Sequence, residues 1–364
     1  ELFSYKIENK KPNASTYGTE KSSSNYSCIP QLWSTLGIAV EASVLEKKVS
    51  RESQGKGKLD YDNLLAAIVS LEEHFVALDT NFREFPILRN RLDLGVAKET
   101  KDKIMDLIYF IWGKKDAEKI YRAITRVMFE AARRMEQDAG KQVRWDEQSV
   151  IISAYPDQVG GHLSKLVEFA EKYLSGLGGL TLHILPRVFD SPCKDDGFDI
   201  RNEFRLNSYL ARRSDLKQLS ENFALALDFV FNHTSVDSPW FKAFMEGDPA
   251  FKDFYISFTV NSAENMQQLE DARKSPLHRP RTDDPFVAVS DDKYVYMTFS
   301  RYQPDLNYAN YKVFVKMTEV MLYLVLLGAD TLRFDAAPYL WKEWGTTCVH
   351  HPKTHALIEL FGTI

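Results

Sequence analysis

The chain has 364 residues, 44% of them hydrophobic and 27% charged, with a formal net charge of −5. That length holds two domains, or one large domain with an appendage. The mild acidity gives no electrostatic basis for nucleic acid or an anionic membrane as partner, and no apolar run reaches transmembrane length.

Cys28, Cys193 and Cys348 are few, odd in number and widely spaced, so neither a disulfide framework nor a metal-ligand spacing is visible. The polar N-terminus lacks a secretory apolar stretch. A cytoplasmic protein is expected. Residues 1–58 are polar and weakly periodic, which predicts a poorly ordered segment. Residues 59–145 predict a helical N-terminal region. A first helix, capped by Asp60 or Asp62, would run to about Leu78. Ile104, Leu107, Ile108 and Ile111 form the buried stripe of a second, which Gly113 ends. Ile120, Ile124, Val127, Met128 and Ala131 form a third stripe, with Lys119, Arg126, Arg133 and Arg134 on the wet side. Packing explains these residues, and no chemistry is assigned to them.

The pattern changes near residue 146. Residues 149–155 read as a buried strand, 163–173 as a helix and 180–186 as the next strand. A helix around 215–222 leads to a strand over 224–233, and an irregular insert covers about 235–305. A helix over 313–327 feeds a strand ending at Asp335, and a last helix begins at 354. Near-continuous apolar strands alternating with helices predict an α/β fold with a parallel sheet under outer helices. Polar clusters fall just after the second, third and fourth strands, as at the carboxyl ends of a (β/α)8 TIM barrel, of which residues 146–364 would supply strands 1–4, the N-terminal half.

The strand 331–335 carries Arg333 and Asp335 two residues apart, on one side of the pleat. A guanidinium so close is expected to keep the carboxylate ionised and lower its pKa. Such a carboxylate suits a covalent nucleophile at a sugar carbon, and equally an ion pair that staples a core. Asp196 reads as a turn former, Asp228 as a structural ion-pair partner inside the barrel, and His183 as a packed core histidine. His350, His351 and His355 do not match a metal-site spacing, and Glu343, eight residues past Asp335, is not taken as an acid.

In their order and spacing, Lys194-Asp195-Asp196-Gly197-Phe198-Asp199, Asp228-Phe229-Val230-Phe231-Asn232-His233, Gln303-Pro304-Asp305-Leu306-Asn307 and Arg333-Phe334-Asp335 resemble the α-amylase family, glycoside hydrolase family 13. His278-Arg279-Pro280-Arg281 and the 341–348 stretch are similar to its sucrose phosphorylase branch. The helical region around 107–113 is closer to the glucosylglycerate phosphorylases of that branch. The resemblance implies retaining transfer of an α-glucosyl group to phosphate. Asp335 would be the nucleophile, oriented by Arg333. Asp195 would grip glucose hydroxyls, Phe198 stack on the ring and His233 donate to a hydroxyl. Gln303 would lie near the leaving group. Arg279 and Arg281 would bind phosphate or form a solvated loop. It implies no metal and no organic cofactor, with inorganic phosphate as cosubstrate and a small α-glucoside as the other partner.

Two alternatives stand beside it. One is an α-glucosidase or transglucosylase of the same family, because 303–307 also resembles the oligo-1,6-glucosidase type. The other is a non-catalytic, truncated interaction protein. In the family a Glu after the fifth strand is the acid, and an Asp that stabilises the transition state follows the seventh. The sequence shows four strands before Ile364, so a truncated chain, inactive alone, is expected.

Overall fold

The computed structural model describes residues 96–135, 146–147 and 149–364. The expected polar segment 1–58 and the helix over 60–78 lie outside them. Two helices come first, α1 (Lys98–Trp112) and α2 (Ala117–Met135). Ile104, Met105, Ile108 and Ile111 form the buried face of α1, and Gly113, at φ 84°, ends it with its N–H on the Tyr109 carbonyl. Glycine alone takes that backbone geometry without strain.

The main sheet has four parallel strands in the order β1 (Val150–Ala154), β2 (Leu180–Ile184), β5 (Ala224–Val230) and β9 (Thr331–Asp335). Helix α3 (Leu163–Tyr173) crosses from β1 to β2, with His162 accepting the Ser164 N–H as its cap and Leu163, Leu166, Val167 and Ala170 turned inward. A short antiparallel hairpin, β3 (Phe189–Asp190) with β4 (Asn202–Leu206), follows β2. Helix α4 (Arg213–Asn222) then leads into β5. Helix α7 (Tyr311–Leu326), capped by Asn310, feeds β9, and α8 (Pro352–Thr363) follows it.

The insert is more ordered than expected. Residues 235–305 carry α5 (Pro239–Glu246), α6 (Ala263–Arg273) and a sheet of β6 (Ser257–Thr259), β7 (Phe286–Ala288) and β8 (Lys293–Tyr296) in the order β6-β8-β7. Strands of three or four residues are too short to display alternation in a sequence. They close a small core of Leu269, Ala272, Phe286 and Tyr296, packed on Trp344.

The main core joins the sheet to its helices. Phe229 and Phe231 stack with ring centroids 4.7 Å apart, and Phe314 of α7 meets Phe361 of α8 at 4.3 Å. Ile104, Ile108 and Ile120 belong to the same cluster, so α1 and α2 share the core of the barrel strands. Residues from Ala97 onward form one unit.

β1 corrects an expectation. Its apolar run predicts a buried strand, yet Val150 is 50% and Ile151 53% exposed. β1 has one hydrogen-bonded neighbour among the described residues, and nothing among them covers these two side chains.

Candidate active site

All four polar clusters converge on the carboxyl end of the parallel sheet. Asp335 is the last residue of β9, and Ala336 turns the chain away through a left-handed φ of 54°. Arg333 Nη1 lies 3.1 Å from Asp335 Oδ1, so the pleat brings the two together as expected. The same nitrogen donates to Asp228 Oδ1, on the residue that pairs with Arg333 in the β5–β9 register.

The charge balance at Asp335 differs from expectation. Burial raises its pKa and is the largest influence. His233 and Arg333 pull it down, and Asp228 pushes it up again. The net direction is upward, because desolvating a carboxylate here outweighs the neighbouring cation that alone favours ionisation.

Asp195 and Phe198 sit on the loop between β3 and β4. Fully buried Asp199 organises that loop, accepting the Lys194 N–H at 3.0 Å, the Asp195 N–H at 3.2 Å and the Ser191 hydroxyl at 2.9 Å. Gly197 is required at φ 99°, since a Cβ there would stand 2.5 Å from the Arg187 backbone nitrogen. Asp196, at φ 50°, turns outward to Arg187 Nη2 at 2.6 Å, as a turn former should.

Gln303 joins the loop to the β5 end. Its Nε2 donates to Asp195 Oδ2 at 2.9 Å and lies 3.0 Å from His233 Nε2, while its Oε1 accepts from Ser300 Oγ at 2.7 Å. His233 Nε2 is 3.2 Å from the Phe198 carbonyl, and the Arg333 guanidinium lies 5.6 Å from the Phe198 ring centre. Asp195, Phe198, His233, Gln303, Arg333 and Asp335 thus form one connected group. Arg279 stands apart. Its guanidinium donates to the Thr298 and Asp283 carbonyls and to the Asp283 carboxylate, leaving little of the fork for an anion, and Arg281 is exposed.

Some members could not be assigned from sequence. Lys342 and Asp305 form an ion pair at 2.8 Å with side chains only 3% and 1% exposed. Asp305 also takes the Thr298 N–H at 2.7 Å, the Thr298 hydroxyl at 2.6 Å and Asn232 Nδ2 at 3.1 Å. Asn232 Nδ2 reaches His233 Nδ1 at 3.3 Å, so this network supports the histidine from behind. Asp305 lies inside a recognisable motif, but nothing in the sequence couples it to Lys342. Nothing in the sequence sets Tyr155 apart either. It follows β1, carries the Arg187 guanidinium 4.5 Å from its ring centre, and has its pKa raised by burial and by Asp196.

His183 is buried, but it is not a histidine packed among apolar groups. It bonds Ser153 and Asp228, each at 2.9 Å. Glu343 pairs with His351 at 2.8 Å, and the His350 and His355 rings stack. No group of three or more potential metal ligands occurs among the described residues. No helix among them is long and apolar enough to cross a membrane.

A parallel strand–helix sheet with an arginine-braced carboxylate at a strand end defines the class: one side of a (β/α) barrel built for chemistry at its carboxyl rim. The comparisons give the family. The alpha-amylase catalytic-domain model matches residues 157–359, and the chain belongs to the α-amylase family. It is 36% identical over 275 residues to glucosylglycerate phosphorylase of Spirochaeta thermophila, covering 73% of this chain and 45% of that protein. It is 33% identical over 266 residues to glucosylglycerate phosphorylase of Escherichia coli, covering 72% and 46%. The crystal structure of sucrose 6F-phosphate phosphorylase from Thermoanaerobacter thermosaccharolyticum superposes with a TM-score of 0.52 at 27% identity, over 59% of this chain and 45% of that one. The chain spans about half the length of the curated relatives it matches.

Proposed function

We infer that this chain holds the glucose-binding and nucleophilic side of a retaining α-glucosyl phosphorylase. One observation carries the reading. Asp335, paired with Arg333, shares a single site with the chain of hydrogen bonds from Asp195 through Gln303 to His233. The relatives named phosphorylases support phosphate as the acceptor.

In the first step an Asp335 oxygen attacks the anomeric carbon, the glycosidic C–O bond breaks, and a glucosyl ester forms on Asp335. Arg333 orients the carboxylate, and burial keeps water from it. Asp195 and His233 hold glucose hydroxyls, with Gln303 fixing both side chains, and Phe198 supplies an apolar face. Phosphate then attacks the same carbon, giving α-glucose 1-phosphate and freeing Asp335. The leaving oxygen needs a proton from a second carboxyl about 5–5.5 Å from the nucleophile. Asp228 is unsuited, since both its oxygens are engaged. Among the described residues none is assigned that step, so they account for glucoside binding and for the ester but not for protonation of the leaving oxygen.

α-Glucosyl fluoride isolates the half-reaction, because fluoride leaves without a proton donor. Residues 1–364 should become esterified on Asp335, seen by mass spectrometry of the peptide containing it. Asp335→Asn should stay unmodified. An unlabelled Asp335, or a label elsewhere, rejects the nucleophile assignment. Added phosphate should release glucose 1-phosphate from the ester. Release of glucose alone would make the protein a hydrolase.

A further inference from the structure

A second, polar network crosses the sheet beneath the site. We propose that Ser153 and His183 are positioning residues for Asp335, acting through Asp228 and Arg333 along one hydrogen-bonded chain that spans all four parallel strands. It rests on Asp335 being the nucleophile.

The first three links join neighbouring strands, and the last lies within β9. Ser153 of β1 and His183 of β2 are register partners, with Ser153 Oγ 2.9 Å from His183 Nδ1. His183 Nε2 lies 2.9 Å from Oδ2 of Asp228 on β5. Asp228 Oδ1 accepts from Arg333 Nη1 on β9, and that nitrogen is 3.1 Å from Asp335 Oδ1. The Asp228 side chain is wholly buried, and that of His183 nearly so.

The chemistry of the groups fixes the direction of the chain. An ionised carboxylate only accepts, so His183 donates to Asp228 from Nε2. In the neutral ring Nδ1 is then an acceptor, and the Ser153 hydroxyl is its donor. Asp228 thereby selects the tautomer, Ser153 braces the ring by donating to its Nδ1, and His183 holds one oxygen of Asp228. The other oxygen is left for Arg333. That guanidinium stands between two carboxylates, Asp228 and Asp335, and divides itself between them. Without the histidine donor, Asp228 carries more unshared charge and draws Arg333 toward itself. Asp335 then loses part of its cation. His233 and Asp228 also act on Asp335, and Asp228 in turn raises the pKa of Tyr155, the residue after β1. A histidine serving only to fill space would affect stability and leave the nucleophile's titration unmoved.

The test follows the Asp335 carboxyl by carbon NMR in residues 1–364, assigned by its disappearance in Asp335→Asn. His183→Leu and Ser153→Ala should raise its titration midpoint by about half a pH unit to one unit, roughly a three- to tenfold change in its proton affinity. Esterification by α-glucosyl fluoride near neutral pH should slow in the same order. His183→Gln should return most of the way to wild type, because its amide can still donate to Asp228. Should His183→Leu fail to fold, Ser153→Ala decides alone. An unchanged midpoint in the folded variants overturns the proposal, as does a His183→Gln no closer to wild type than His183→Leu. Absence of esterification in the wild type counts against the nucleophile reading instead, so the two failures are separable.

Discussion

The inner strands β2 and β5 are buried along almost their whole length, whereas no residue of β9 is fully buried and β1 exposes Val150 and Ile151. The proposed nucleophile lies on the less covered strand. The loops that hold Asp195 and His233 leave the well-covered ones. Packing therefore fixes the binding frame, and polar contacts fix the nucleophile. Arg333, Asp228 and the left-handed turn at Ala336 do at Asp335 what Phe229, Phe231 and Phe361 do for the sheet. Chemistry and stability should be separable by position.

The largest effect expected is chemical. Asp335→Asn should abolish the ester and slow the reaction with α-glucosyl fluoride by about 10⁴-fold or more, with little change in the urea midpoint, because the residue contributes charge and little packing. A matching collapse of stability would erase the contrast.

Phe229→Ala, on β5, should cost about 3–5 kcal/mol by urea unfolding, since its ring contacts Phe231, Phe334 and Phe361. A loss under about 1 kcal/mol would mean that the inner strands are not the frame.

Glu203 tests how little charge the hairpin after β2 tolerates. Burial pushes its carboxyl up to about 8, so the native protein keeps a proton that the unfolded chain releases near 4.5. The native state binds more protons across that window, and stability falls as pH rises from 4.5 to about 8. Glu203→Gln should flatten this dependence and add about 3 kcal/mol at pH 7. Parallel melting curves for the two proteins at pH 5 and pH 8 would contradict it.

The smallest effect belongs to the outer strand. Ile151→Thr should change stability by no more than about 0.5 kcal/mol. A core-sized loss by denaturant titration would show that β1 is covered in solution.

The sequence by itself determined the strand–helix alternation, the places where strands end in polar clusters, and most of the candidate site. Those features are local, for a period of two or 3.6 and a motif such as Arg333-Phe334-Asp335 are written in neighbouring residues. Helix 163–173 matched α3 end to end. Tertiary structure alone decided which strands would be outer, because all four are apolar runs and burial depends on what lies beside them. It also decided the pairing of Lys342 with Asp305, the placement of Gln303 between Asp195 and His233, and the conversion of His183 from filler to link. Those partners lie tens to more than a hundred residues apart in the chain. The upward shift of Asp335 was invisible for the same reason: an adjacent arginine can be read from a motif, but the loss of water around a carboxylate is set by the whole fold.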